Sequence, residues 1–191
     1  MVAVKELGLN SPILKEVRKI ARSKSYRIES NKTVAEGHSL VLDLISLQLS
    51  ELSVEIDKII VSDKEVELVG ELINLDDKVG DIFVAPERFF DTIKLTKNSP
   101  GVLAIVKTKN TAGMSSTDWL AKQDFPIFAF YEIESPLNLG AVSRSLLSFG
   151  ITNLVLIGRC CELYSPNTVR SSMGAVFQIS TISFDSVETK N

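Results

Sequence analysis

The 191-residue sequence lacks most of the features that place a chain outside the class of ordinary globular proteins. No apolar run approaches the roughly 20 residues that cross a bilayer, and the N-terminal residues have no secretory signal core. The only cysteines are Cys160 and Cys161, and the only histidine is His38. Adjacent cysteines make a poor disulfide, and with one distant histidine they are too few to bind zinc. We therefore expect a cytoplasmic protein with no metal site and no membrane contact.

Charge of either sign is not in large excess. The net charge is −3, from 21 basic and 24 acidic residues. Such a balance is not typical of a protein that binds nucleic acid mainly through phosphate contacts. The distribution is uneven, because residues 1–33 carry eight basic and three acidic side chains and the rest of the chain is acidic. This pattern has two interpretations: a basic surface that contacts a polyanion at one place, or a solvated helix face.

Strand and helix signals alternate over residues 1–107, which predicts an α/β layered domain. Residues 11–24 begin with Ser11 and Pro12, which favour a helix start. They continue with apolar residues at helical spacing and basic residues on the other side. Further strands are predicted at residues 33–35, 58–61, 81–85 and 102–106, with helices between them.

Residues 108–124 interrupt this alternation and are predicted to form a linker, because they are small and polar. Trp119 and Leu120 are the candidate anchors in this segment. A second α/β unit follows over residues 125–191. Its predicted elements are strands at 127–131 and 153–157, helices at 138–149 and 166–173, and an extended apolar stretch at 175–182. Because both faces of a parallel sheet need cover, so small a unit is expected to be completed by a partner or to be part of a larger domain.

The most informative stretch is SPLNLGAVSRSLLSFG, residues 135–150, between a predicted strand and a predicted helix. Open α/β sheets bind ligands at such positions. Asn138 is predicted to cap the helix, and Gly140 and Ala141 leave room for close approach of backbone or ligand. Arg144 lies within two turns of the helix start, where a guanidinium beside free N–H groups suits phosphate or ribose. The core-facing residues are predicted to be Val142, Leu146 and Phe149. The structural alternatives are an ion pair for Arg144 and a cap alone for Asn138.

This stretch resembles the first motif of SpoU-type RNA 2′-O-ribose methyltransferases of the SPOUT superfamily, Asn-x-Gly-Ala-x-x-Arg-[Ser/Thr] followed by a helix that ends in Phe-Gly. The segment from Pro166 to Phe177, with Arg170, Ser172 and Gly174, is similar to the family's Pro…Arg-x-Ser-x-Gly-Ala-x-Phe stretch. The chain departs from the family where it has Ser-Pro-Leu-Asn in place of Asp-Pro-Gly-Asn.

The N-terminal part is similar to the L30e-like substrate-binding domain that some family members carry. The matching segments, in the family's order, are Asn10-Ser11-Pro12 with Lys15, Tyr26-Arg27, Glu36-Gly37 and Pro100-Gly101-Val102. The resemblance implies an L30e-like α/β/α domain over residues 1–107, followed after the linker by the first, incomplete part of a SPOUT (α/β-knot) parallel-sheet domain over residues 125–191.

The same resemblance implies methyl transfer from S-adenosylmethionine to a ribose 2′-hydroxyl of RNA, with rRNA favoured over tRNA, by a homodimer. Arg144 would act at the target hydroxyl and Asn138 would shape the site. Because a guanidinium stays protonated and is a poor base, we expect Arg144 to orient the hydroxyl and neutralise charge. The residues expected to contact RNA are Lys15, Arg18, Arg22, Arg27, Arg170 and Ser172. The backbone of the motif would be shaped by Gly140, Ala141 and Gly174.

The family's second and third motifs, a Gly-x-Glu-x-x-Gly loop and a Pro-x-x-Gly…Ser-Leu-Asn-Val-Ser helix, do not occur in this sequence. In the family these motifs build the trefoil knot and most of the S-adenosylmethionine pocket. We therefore expect this chain to be truncated, to leave the knot untied and to be inactive alone, and the cofactor-binding residues stay unassigned. A non-catalytic RNA-binding protein derived from the family is the alternative, and a generic α/β interaction protein is a third hypothesis.

Overall fold

The computed structural model describes residues 4–8, 10–49, 54–75, 81–108, 115–123 and 126–184. The chain divides into two compact units, Met1–Thr108 and Lys109–Asn191. Within the described ranges, no helix is long and apolar enough to cross a membrane.

The first unit is a five-stranded mixed sheet with helices packed against it. Its elements are β1 (Val4–Glu6), α1 (Pro12–Arg22), α2 (Lys24–Ser30), β2 (Lys32–Glu36), α3 (His38–Leu49), β3 (Glu55–Ser62), α4 (Val66–Leu75), β4 (Asp81–Ala85), α5 (Glu87–Phe90) and β5 (Val102–Lys107). The spatial order is β1-β4-β3-β5-β2, in which β5 runs antiparallel to β2 and β3. The predicted α/β class is confirmed, whereas the specific L30e-like assignment stays a prediction.

The start of α1 follows from local chemistry. The Ser11 hydroxyl accepts a hydrogen bond from the Ile13 backbone N–H at 3.3 Å, and Pro12 occupies the first turn, where its missing N–H costs nothing. The predicted single helix over residues 11–24 is instead two helices. Ser23 has an extended backbone that ends α1, and its side chain caps α2 through the Tyr26 N–H at 3.2 Å.

The core of the first unit lies between α1 and the sheet. Leu14, Val17 and Ile20 are fully buried on one side of α1 and pack with residues of β2, β3 and β5. Both faces of β3 are covered, because its successive residues Ile59 and Ile60 are also fully buried and successive strand residues point to opposite faces.

The second unit contains a three-stranded parallel sheet in the order β6-β7-β8. Its elements are α6 (Ser116–Leu120), β6 (Ile127–Tyr131), α7 (Pro136–Ser148), β7 (Asn153–Ile157), α8 (Pro166–Ser171) and β8 (Ser180–Phe184). The predicted extended stretch at residues 175–182 is wrong in its first half. Ala175–Gln178 is a 3₁₀ turn that follows the left-handed Gly174, and the strand begins at Ser180.

The segment predicted as a linker contains α6. Its Trp119 is 1% exposed and packs with Val155 and Ile182 of the second unit. The Trp119 indole N–H donates to the Ser180 hydroxyl at 3.0 Å. Leu120 is 46% exposed and is no anchor. The tryptophan therefore ties α6 to the parallel sheet.

Candidate functional site

The helix α7 begins earlier than the sequence pattern predicts. Ser135 is its N-cap, and the Ser135 hydroxyl accepts from the Asn138 backbone N–H at 3.4 Å. The prediction that Asn138 is the cap is therefore wrong, because Asn138 lies inside the first turn with its side chain exposed. Ser135-Pro136 begins α7 in the same way as Ser11-Pro12 begins α1. This Ser-Pro signal in the sequence could have identified Ser135 as the N-cap.

Gly140 is the point where α7 and α8 touch. A Cβ atom on Gly140 would lie 1.9 Å from the Ser171 hydroxyl oxygen and 2.7 Å from the Ser172 backbone nitrogen. The close approach predicted at Gly140 therefore exists, but α8 rather than a ligand makes it. Ala141, the next residue, is exposed.

Arg144 lies on the solvent side of α7. Arg144 comes one helical turn after Gly140, and residues four apart are neighbours on a helix surface. The Arg144 side chain therefore leaves α7 close to the surface that contacts α8. Leu137, which is 67% exposed, shares this side. Arg144 makes no ion pair with any residue that the structure describes. Its guanidinium therefore remains available to an anion or a hydroxyl from outside.

The short helix α8 contributes Arg170, which is exposed. Ser172 is 1% exposed, and its hydroxyl donates to the Val169 carbonyl at 2.9 Å. The prediction that Ser172 contacts RNA is therefore wrong, because its proton donor is used inside the helix. Gly174 takes a φ of 81°, in the left-handed region where glycine commonly ends a helix.

The core-facing side of α7 was only partly predicted. Leu146 is 6% exposed, as expected, and Val142 is half-buried. Phe149 is 80% exposed, so its predicted core position is wrong. It lies beyond the last helical residue, where the chain turns at Gly150 (φ 73°), and the helical periodicity no longer sets its direction.

Tyr131 is the last residue of β6 and Glu132 follows it, at the edge of the sheet where parallel α/β proteins bind ligands. Glu132 has a φ of 50°, and its side chain lies close to Gly158 at the end of β7. A hydrogen bond with Glu132, together with its charge, raises the pKa of the exposed Tyr131 phenol. Neither residue was predicted from the sequence, although Tyr131 ends a predicted strand and Glu132 directly follows it, a position that could have located them.

The two cysteines do not form a reactive pair. The Cys160 thiol donates to the Ile157 carbonyl at 3.2 Å. Burial, and then the neighbouring Cys160, raise the pKa of the Cys161 thiol. A raised pKa disfavours the nucleophilic thiolate. In the part of the chain that the structure describes, no cluster of His, Cys, Asp and Glu could hold a metal ion.

The residues predicted to contact RNA in the first unit differ in exposure. Lys15 and Arg22 are exposed on α1, and the Arg18 Nε donates to the Thr92 carbonyl at 3.4 Å. Arg27 is 8% exposed, and its Nη1 donates to the Ile20 carbonyl at 2.6 Å. The prediction that Arg27 binds RNA is therefore wrong, because its guanidinium satisfies the carbonyl end of α1.

The second unit is thus a parallel α/β sheet with a Ser-capped helix and exposed Asn138 and Arg144 beside the strand ends. Its sequence matches a known family over residues 126–190, the SpoU rRNA Methylase family. The resemblance that the motifs of the second unit indicate is therefore confirmed.

Two curated relatives are similar to the chain. A 23S rRNA uridine 2′-O-methyltransferase of Streptomyces viridochromogenes is 28% identical over 102 residues, which is 53% of this chain and 34% of the relative. The mitochondrial rRNA methyltransferase 3 of Mus musculus is 23% identical over 169 residues, 87% of this chain and 38% of the relative. The chain therefore spans little more than a third of the length of either protein.

Solved structures resemble the chain over nearly its whole length. The AdoMet-bound rRNA methyltransferase from Sinorhizobium meliloti has a TM-score of 0.71 and 26% identity, and the match covers 94% of this chain and 64% of that one. The SpoU methyltransferase AviRb from Streptomyces viridochromogenes, in complex with AdoMet, has a TM-score of 0.73 at 17% identity, covering 93% of this chain and 64% of that one. At that identity the second likeness shows the fold alone.

Proposed function

We propose that the chain is the RNA-facing part of an rRNA 2′-O-ribose methyltransferase that uses S-adenosylmethionine. The observation that carries the proposal is the exposed pair Asn138 and Arg144 on α7, inside the region that matches the SpoU family. The contact between Gly140 and α8 holds this helix in place. The names of the relatives, which are rRNA methyltransferases, support rRNA rather than tRNA as the substrate.

Arg144 is proposed to act on the ribose rather than as a base. Its guanidinium stays protonated at neutral pH, so it donates hydrogen bonds to the target 2′-oxygen and to the adjacent phosphate. This fixes the direction of the hydroxyl and stabilises the negative charge that the 2′-oxygen gains as it gives its proton to a base, a role for which Arg144 is unsuited. Bond formation to the methyl group then removes that charge. The exposed Asn138 amide shapes the same region.

The described residues do not fit a complete donor pocket. S-adenosylmethionine would supply an electrophilic methyl group when bound. Tyr131 at the end of β6 is 69% exposed and Leu137 in the first turn of α7 is 67% exposed, so neither side chain lines an enclosed pocket. The family's second and third motifs also have no match in these 191 residues. We therefore assign no donor-binding residue and no step of transfer to this chain alone.

A homodimer in the cytoplasm completes the proposal. Large apolar side chains remain exposed on the second unit, including Phe149 at 80% and Leu137 at 67%. Where such side chains form a contiguous patch, the patch is typical of a surface that another protein covers. A second copy of the chain, as the family resemblance implies, would remove them from water.

The alternative is an RNA-binding protein of the same family without catalysis. The basic face of α1 favours it, because that face needs no donor to bind RNA.

Isothermal titration of the purified 191-residue chain with S-adenosylmethionine separates the two. Circular dichroism checks that the sample is folded. We expect no binding up to about millimolar donor, a concentration at which even an interaction of about 4 kcal/mol would be detected, because the described residues supply no complete donor pocket. This result would leave catalysis to a longer assembly and favour the RNA-binding alternative for this polypeptide. Saturable micromolar binding would instead show that the chain or its dimer forms the donor site.

A further inference from the structure

A second basic segment lies against α1 in the first unit, and Arg18 connects the two. The Arg18 Nε donates to the Thr92 carbonyl at 3.4 Å, and its Nη2 donates to the Thr92 hydroxyl. The Thr92 hydroxyl in turn donates to the Phe89 carbonyl at 2.6 Å. Arg88, on α5, precedes Thr92 by one turn in a segment whose helical bonds continue past the end of α5. Because the Asp91 amide bonds to the Glu87 carbonyl and the Thr92 amide to the Phe89 carbonyl, the chain turns tightly here and Arg88 and Thr92 lie close together.

The acidic residues of α1 and of residues 86–97 are all neutralised by a lysine partner. These pairs are Glu16 with Lys32 at 2.7 Å, Glu87 with Lys64 at 2.6 Å and Asp91 with Lys94 at 2.6 Å. Each carboxylate is therefore occupied locally. None of them cancels the charge of the arginines and lysines on the surface between α1 and α5.

The remaining cations of this surface have no carboxylate partner among the residues that the structure describes. They are Lys15, Arg18, Lys19, Arg22 and Arg88. Two of them lie over aromatic rings: Arg88 is 4.8 Å from the centroid of the Phe89 ring, and Lys19 is 5.5 Å from that of Tyr26. A guanidinium that stacks on a ring keeps its N–H edge available, and that edge matches phosphate oxygens.

We propose that α1 and α5 together form one surface for the phosphate backbone of RNA, in which Arg88 is a contact residue beyond those of α1. Arg18 uses its bonds to Thr92 to position the two elements, and the guanidinium retains further N–H donors for phosphate. The inference rests on the proposed function for the nature of the partner, but it requires no methyl transfer.

The test is fluorescence anisotropy of a fluorescein-labelled RNA hairpin titrated with the full 191-residue chain, between about 50 and 200 mM KCl. Arg88→Gln should weaken binding several-fold at the lower salt concentration. It should also reduce the slope of log affinity against log salt by about 0.7 to 0.9, the value for one lost phosphate contact. Arg88→Lys should retain the slope, because the charge is preserved.

The control for the loss of one positive charge is Lys5→Gln on β1, where Lys5 is paired with Asp81 at 3.1 Å. Circular dichroism checks that every variant is folded. The inference is overturned if Arg88→Gln binds as tightly as the parent while Arg22→Gln is weakened, or if Lys5→Gln loses as much affinity as Arg88→Gln. Absence of any RNA binding by the parent also overturns the inference. The methyltransferase proposal is tested separately, by the titration with S-adenosylmethionine.

Discussion

The Ser171 hydroxyl donates to the backbone carbonyl of Pro136 at 2.9 Å. This bond joins α8 to the first turn of α7, and Gly140 in the next turn has no side chain to hold the two helices apart. The two sequence motifs are therefore one packed unit. The contact fixes the orientation of the helix that carries Asn138 and Arg144, so small changes at the contact should propagate to the candidate site.

Gly140→Ala should destabilise the second unit. The added methyl group would meet the Ser171 hydroxyl and the Ser172 backbone nitrogen, and forced overpacking of this kind costs about 1–3 kcal/mol. The gain in helix propensity, about 1 kcal/mol, is too small to reverse the sign. Urea denaturation followed by the fluorescence of Trp119, the only tryptophan, reports on this unit.

Gly70→Ala in α4 is the matched control for that substitution. A Cβ atom on Gly70 would have no neighbour within 4 Å, so the same change should stabilise the first unit by up to about 1 kcal/mol. An unfolding midpoint of Gly140→Ala at or above that of the parent would contradict the packing argument.

Arg27→Gln should destabilise the first unit by about 1.5–3 kcal/mol, the usual range for a hydrogen bond from a charged group. The buried guanidinium holds the Ile20 carbonyl at the end of α1, and a shorter neutral side chain leaves that acceptor without its donor. Urea denaturation followed by circular dichroism measures the effect. The exposed Arg22→Gln should unfold like the parent, and equal stability of the two variants would show that Arg27 is not structural.

The ion cluster beneath α1 should make the first unit sensitive to acid. Burial would raise the pKa of Asp57, but hydrogen bonds and charge from Lys32, at 2.7 Å, and Lys58, at 2.6 Å, together hold the pKa below its ordinary value of 3.8. A carboxyl with a lowered folded-state pKa contributes stability that is fully present above its ordinary pKa. That contribution disappears as the pH falls through the lowered value.

Asp57→Asn should therefore flatten the acid limb of a plot of urea midpoint against pH below about 4. The exposed Asp43→Asn on α3 is the control and should keep the slope of the parent. An unchanged acid limb in Asp57→Asn would show that the cluster contributes no pH-dependent stability.

Arg144→Ala should separate activity from folding. The side chain is exposed, so the free energy of unfolding should change by less than about 0.5 kcal/mol. Transfer of a tritiated methyl group to rRNA should fall by about 10²-fold or more, the usual cost of removing a donor that stabilises developing negative charge. The assay uses the complete enzyme assembly that supports transfer, with the exposed Lys122→Ala as control. Transfer within a few-fold of the parent would remove Arg144 from the site.

The sequence by itself determined the elements whose signals are local. Ser11 and Ser135 each precede a proline and start a helix, and Leu14, Val17 and Ile20 repeat at the helical period and are buried. Caps and periodicities depend on neighbours within a few residues, which the sequence displays directly. For the same reason the motif around Arg144 is recognisable from the order of its residues alone.

Only the tertiary structure decided which polar side chains are used inside the protein. Arg27 carries the same charge as Arg22, yet it turns inward because the carbonyls at the end of α1 lie beside it. Trp119 is buried against Val155 and Ile182, and Ser180, 61 residues later, accepts the hydrogen bond of its indole N–H. Burial and hydrogen bonding of a side chain depend on segments distant in the chain, and their meeting is a property of the packed fold rather than of any local pattern.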